Sequence, residues 1–237
     1  MKARVKMANF NTHIAAGAIA SGLGATVALT SGLAPATELL PLVVAGVLGS
    51  IGPDIDRDGG NPLRGLFGAL GLGVAFGVVM NLEWLPLWEL AAIWCAIFGV
   101  VSVGLCHLFT HYTVHRGIWH SILAATFFGA VTIVTLGAVF GKGADIAWLG
   151  GLFMMGGYIV HLALDEVWAF NWRTWTAKKS LWTAIKPYDH HHPVNSAIMA
   201  AAVLALLLTM APSPKAFVDA AKAASTHGRN NHQMAGR

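Results

Sequence analysis

Residues Ile146–Leu164 read IAWLGGLFMMGGYIVHLAL and run directly into Asp165. Nineteen positions without Asp, Glu, Lys or Arg make about 28 Å of α-helix at about 1.5 Å per residue, close to the hydrocarbon thickness of a bilayer. This stretch therefore predicts a membrane-spanning helix. Its single imidazole, His161, stands one turn before the carboxylate of Asp165, so both project from one face.

The stretch is one of seven. Moving outward, Gly117–Gly141 and Leu90–Thr110 precede it, Val194–Ala211 follows it, and Gly65–Leu82 and Ile14–Leu33 lie nearer the start. Each has 18 or more residues free of Asp, Glu, Lys and Arg. Leu39–Gly52 is shorter, at 14 residues, and contains Pro41; it reads as either a short span or a re-entrant hairpin. Composition agrees. Charged residues are 11% of the chain where a soluble domain has about 25%. Hydrophobic residues are 56% before any of the 27 glycines is counted, and the mean hydropathy is +0.62. These values exclude a soluble globule and predict an all-α, polytopic membrane helix bundle of six or seven transmembrane helices, tightly packed through its glycines. The bundle is expected over 1–211, with a polar, disordered tail over 212–237.

The net charge of +4 does not indicate nucleic acid, because Lys and Arg are scattered through the gaps between apolar runs. With the N-terminus cytoplasmic and all seven runs crossing, ten of the fifteen Lys and Arg fall inside, as the positive-inside rule requires. The expected location is thus an inner (plasma) membrane, multi-pass, with the lipid bilayer as the principal partner. Lys2, Arg4 and Lys6 are separated from the first run by Asn9–His13, which favours a span over a cleaved signal. Cys95 and Cys106 share one apolar run and read as buried thiols.

The remaining polar residues gather at one face. His13 opens the first span, and Asp54 and Asp56 follow the second run in GPDIDRD. His107, His111, His115, Arg116 and His120 straddle the loop before the fifth run, His161 and Asp165 end the sixth, and His190–His192 lie before the seventh. Mixed imidazole and carboxylate ligands suit zinc or manganese. A metal acidifies bound water and polarises an ester oxygen, which is hydrolase chemistry. His13, Asp54, Asp56, His115, His120, His161 and Asp165 are the candidate ligands. They outnumber the four of one tetrahedral zinc, which points to two metals or to one metal with supporting partners. Arg116 would bind an anion, and Asp54 would assist as a base. His107 reads as an interhelical hydrogen-bond partner and His190–His192 as a solvated loop. The aspartates alternatively cap helices or pair with Arg57 and Arg116.

Thr12-His13, Pro53-Asp54-Ile-Asp56, His115-Arg116-Gly117-Ile-Trp-His120-Ser121 and Gly157-Tyr158-Ile-Val-His161-Leu-Ala-Leu-Asp165 together resemble the YdjM-like family of LexA-regulated, membrane-bound, metal-dependent hydrolases. The family pattern has a bulky apolar residue where this chain has Gly52, commonly a His where it has Arg57, and more usually a Thr where it has Trp119. The resemblance implies a metal-dependent hydrolase, and a site at headgroup level suggests a phosphate or other ester of an amphiphilic substrate. Two readings stand beside it. One is a non-catalytic transporter or channel that uses His and Asp for metal or proton passage. The other is a metal-free lipid phosphatase, which would need a Ser-Gly-His block that this chain lacks.

Overall fold

A computed structural model describes residues 10–56, 61–107, 118–171, 176–177 and 185–235. The chain divides into two compact units, one formed by Met1–Pro53 with Ile118–Arg237 and the other by Asp54–Gly117. The first contains α1 (Phe10–Thr30) and α2 (Leu39–Gly49). The second contains α3 (Asn61–Val79) and α4 (Leu87–Gly99), prolonged by a π-helical segment Val100–Leu105. The chain then returns to the first unit with α5 (Ile122–Val134), which continues as π-helix to Val139, and α6 (Ala144–Ala169). Last come α7 (Pro193–Ala205), continued as π-helix to Met210, and α8 (Lys215–Ala235). A short antiparallel pairing joins Phe170–Asn171 to Thr176–Ala177, and an isolated parallel bridge joins Ser121 to Lys186. The all-α expectation holds. Among the described residues helices fall in all seven apolar runs, and five of them are long and apolar enough to cross a membrane. Those five are Phe10–Thr30, Leu87–Leu105, Ile122–Val139, Ala144–Trp168 and Pro193–Met210. The apolar helical stretches Ala36–Gly49 and Phe67–Val79 are shorter.

In the first unit α2 lies against both α1 and α6. Glycine sets the spacing. A Cβ at Gly157 of α6 would lie 1.8 Å from the carbonyl oxygen of Gly46, and one at Gly49 would lie 2.1 Å from that of Met154. The two backbones therefore touch, which a side chain at either position would prevent. On α1 the buried residues His13, Gly17, Ser21, Ala25 and Ala28 follow helical spacing and form a single face.

The hairpin reading of Leu39–Gly52 is corrected. At 11 residues, α2 is about 16 Å long, yet it runs from one end of α6 toward the other. Glu38, just before it, pairs with Lys142, just before α6, at 2.8 Å. Ser50, just after it, bonds to His161 near the far end of α6. Pro41 breaks nothing, because it sits in the first helical turn, where backbone N–H groups have no intrahelical partner.

The tail also departs from expectation, being helical over Lys215–Ala235. Its Phe217 packs on the buried cluster of Ala28, Ala34, Leu42, Ile146 and Leu149. The polar composition that suggested disorder concealed an amphipathic pattern. In the second unit, α3 and α4 form a helical pair with Phe76 edge-on to Trp94 and Trp94 stacked on Phe98. Cys95 is exposed and only Cys106 is buried; both are free thiols.

Candidate metal centre

Four of the seven expected ligands meet inside the first unit. His13 is the fourth residue of α1, 1% exposed, on the face that packs inward. His161 is wholly buried on α6, and Asp165, one turn on, is about one-fifth exposed. His120 stands just before Ser121, the residue that caps α5, and is buried.

The Asp165 carboxylate faces all three imidazoles. Its Oδ1 is 3.4 Å from His13 Nε2, and its Oδ2 is 3.7 Å from both His120 Nε2 and His161 Nε2. The rings of His13 and His161 stack, with centroids 3.7 Å apart and planes 14° from parallel. His120 stands edge-on to His161 at 6.1 Å.

The tautomer of His161 follows from its other nitrogen. Nδ1 lies 2.7 Å from the carbonyl oxygen of Ser50, and since a carbonyl can only accept, Nδ1 carries the hydrogen. Neutral His161 therefore presents a lone pair at Nε2 toward Asp165 Oδ2. Two lone pairs facing each other repel unless a proton or a cation lies between them. At 3.4–3.7 Å these separations exceed the roughly 2.7–3.2 Å of an N–H···O hydrogen bond. They match the edge of a coordination tetrahedron: donors about 2.0–2.2 Å from a common ion are separated by about 3.3–3.6 Å. Nδ1 of His13 and Nδ1 of His120 are buried without a hydrogen-bond partner among the described residues. The donor set of His120, His161 and Asp165, with ligand atoms all within 4.8 Å of one another, thus fits a divalent ion, and His13 faces the second oxygen of the same carboxylate.

Each ligand is held by backbone chemistry that the sequence conceals. His161 is fixed by Ser50, which the close approach of Gly49 to α6 brings within reach. His120 is fixed by the start of α5. Ser121 caps that helix, its Oγ accepting from Ala124 N–H at 3.2 Å. The N–H groups of Ile122 and Leu123 are donated to the carbonyls of Lys186 and Pro187, at 2.9 and 3.0 Å. Tyr158, one turn before His161, donates its hydroxyl to the carbonyl of Trp119. A Cβ at Gly52 would lie 2.5 Å from the Tyr158 ring, so this ring accounts for the glycine that departs from the family pattern.

The loop at 185–192 is held by Asp189. Its carboxylate is buried, accepts from Lys186 Nζ at 3.1 Å and from His191 N–H at 3.3 Å, and its backbone exchanges hydrogen bonds with Ser196 Oγ. Burial alone would push this carboxyl up; the Lys186 ammonium and the His191 N–H together outweigh burial and hold it below the usual carboxylate range. Sequence reasoning missed this loop as a support. The available signal was a lone Asp beside a Lys at i−3.

Asp54 and Asp56 belong to the 3-10 turn Gly52–Asp56, at which the second unit begins. His111, His115 and Arg116 fall outside the described residues. His107 is exposed near the end of the second unit, and His190, His191 and His192 are exposed.

A family model described as YdjM inner membrane protein matches residues 7–216. No curated protein and no solved structure matches the chain.

Proposed function

The chain belongs to the YdjM inner membrane protein family, and from that premise we propose that it is a membrane-bound, metal-dependent hydrolase. Several of its helices are long and apolar enough to cross the membrane, in keeping with a multi-pass inner membrane protein. The observation that carries the hydrolase reading is the convergence of three imidazole Nε2 atoms on one carboxylate at ion-sharing rather than hydrogen-bonding distances.

In this reading His120, His161 and Asp165 hold one divalent ion, zinc or manganese, and His13 either supports it or helps to hold a second. The ion, when bound, would acidify water and polarise the oxygen of a phosphate or carboxylic ester. The protein's own part is orientation. Ser50 fixes the ligating tautomer of His161, the Lys186–Pro187 carbonyls fix the approach to His120, and Asp165 supplies negative charge. From the sequence alone, Asp54 and Asp56 are further proposed ligands, Asp54 also assists as a base, His115 ligates, and Arg116 binds the substrate's anionic group. The cluster end is proposed to be cytoplasmic.

The transporter or channel alternative requires ionisable groups along a route to the opposite end. There Glu38 and Lys142 neutralise each other directly at 2.8 Å, which gives that alternative no support. The test is hydrolysis of a panel of phosphomonoesters, phosphodiesters and carboxylic esters by purified protein in nanodiscs. The protein is stripped with a chelator and then reloaded with zinc or manganese. Hydrolysis that is lost on stripping and restored on reloading is expected. Metal uptake without any hydrolysis across the panel would favour the non-catalytic alternative.

A further inference from the structure

A groove runs along the outer surface between α1 and α6. Ala20, Ser21 and Gly24 form one wall, and Phe153, Gly156 and Val160 stand on the other. Its volume is about 270 Å³. Its lining is apolar but for Ser21, and its two walls belong to helices long enough to span the membrane. Leu152 of the lining, and Ile19, Leu23 and Ile159 next in sequence to lining residues, are large, apolar and exposed. In a bilayer such a surface meets hydrocarbon, not water.

The register of both walls leads to the metal-ligand cluster. On α1, His13, Gly17, Ala20 and Gly24 stand at i, i+4, i+7 and i+11, a single helical face. On α6, Gly157 also lines the groove, and His161 follows it by one turn. The lining ends at Ala20 on α1 and Val160 on α6; along the same two helices the buried, stacked pair His13–His161 follows, and beyond it Asp165 is the partly exposed group. The order along these helices is that of a lipid, an apolar groove first and an ionic cluster after it.

We propose that this groove binds one acyl chain of a membrane lipid that enters sideways from the bilayer and carries its polar head to the Asp165 end. The substrate class of the hydrolase is then a long-chain lipid rather than a water-soluble ester. The fate of the head rests on the hydrolase reading; the seating of the chain does not.

Gly156 supplies the test, because a Cβ there meets no atom within 4 Å. A large side chain at this position fills the groove without disturbing the packing of the helices. The probe is a phosphatidic acid with a diazirine in its acyl chain, mixed into phosphatidylcholine nanodiscs that hold the full chain. Cross-linked peptides are mapped by mass spectrometry. Labelling of the 149–160 segment should exceed that of the lipid-exposed α7 residues Ile198, Leu204 and Leu208 several-fold. Gly156→Phe should bring it down to the α7 level, while Gly156→Ala should not. Equal labelling of both segments would reduce the groove to ordinary boundary lipid, and absent labelling at 149–160 would mean that protein fills it; either overturns the proposal. Selective labelling that persists in chelator-stripped, inactive protein would uphold the groove while leaving the hydrolase reading to its own test.

Discussion

Ser50 and His161 are joined across the contact of α2 with α6 by one hydrogen bond of 2.7 Å, from the imidazole Nδ1–H to the backbone carbonyl. The bond links packing to chemistry, because it exists only while the glycine faces of the two helices remain in contact, and it decides which nitrogen of His161 faces Asp165.

Separating the two helices should therefore damage both stability and the site. Gly157→Ala forces a methyl against the Gly46 carbonyl, where a Cβ would lie 1.8 Å away, and overpacking of this kind costs about 1–3 kcal/mol. Thermal unfolding in detergent should fall by several degrees, with metal affinity falling as well. The neighbouring Gly156→Ala should change neither. An unchanged Gly157→Ala protein would show that the helices are not held in this contact.

The loop at 185–192 should act on the metal from a distance. Asp189→Asn removes the charge that holds Lys186 and with it the carbonyls that fix the start of α5. Loss of such supports lowers metal affinity by about 10–100-fold in other sites, and a zinc titration should show a decrease toward the lower end of that range. Replacing His190, His191 and His192 together by Ala should leave bound metal largely unchanged. A loss as large as that of His161→Ala would show that the loop supplies a ligand.

Asp189 also predicts a pH dependence of stability. Its carboxyl is held below the usual range in the folded protein, so the contribution is fully present above the ordinary carboxylate pKa of about 3.9 and is lost as pH falls below it. Wild type should lose stability faster than Asp189→Asn when taken below about pH 4. Parallel losses would indicate that Asp189 is not responsible.

The helices were legible because bilayer hydrocarbon imposes a length and a composition that runs such as Ile146–Leu164 display openly. His161 with Asp165 was legible for a related reason, since ionisable groups one turn apart in an apolar helix need a partner. Pro41 misled, because a proline inside an apolar run looks like a break until the helix start is known to fall two residues before it. What remained hidden is carried by backbone atoms. The carbonyls of Ser50, Lys186 and Pro187 would be the same for almost any residue at those positions, so no side-chain pattern announces them. Phe217 was hidden by a polar neighbourhood. Asp54, Asp56, His115 and Arg116 are still sequence-based proposals, and Asp54→Asn and His115→Ala are expected to lower bound metal.

Orientation can be tested within the first unit. Tyr188 is exposed in the loop that supports His120, whereas Ser213 follows Pro212, whose carbonyl accepts from Trp148 near the opposite end of α6. In a background lacking Cys95 and Cys106, Tyr188→Cys should be labelled only from the cytoplasmic side and Ser213→Cys only from the periplasmic side. The reverse pattern would invert the proposed topology, and labelling of both from one side would contradict the crossing of α6 itself.

The central claim is that the His/Asp cluster holds a metal ion rather than a proton shared between helices. A charged carboxylate in a membrane helix carries a cost that reaches about 2.5–3.5 kcal/mol at the helix centre and is smaller toward its end, and a bound cation offsets that cost only if the ligand is charged. The decisive measurement is the metal content of purified Asp165→Asn beside wild type, by elemental analysis without chelators. The substitution keeps the size and the hydrogen bonding of the side chain and removes its charge. Wild type should carry stoichiometric zinc or manganese, released as pH is lowered and protons compete for the imidazoles, while Asp165→Asn, like His161→Ala, should be largely empty with its helical content intact. Full occupancy in Asp165→Asn, or a metal-free wild type that takes up no ion when supplied with zinc or manganese, would contradict the account and make the cluster an interhelical hydrogen-bond network.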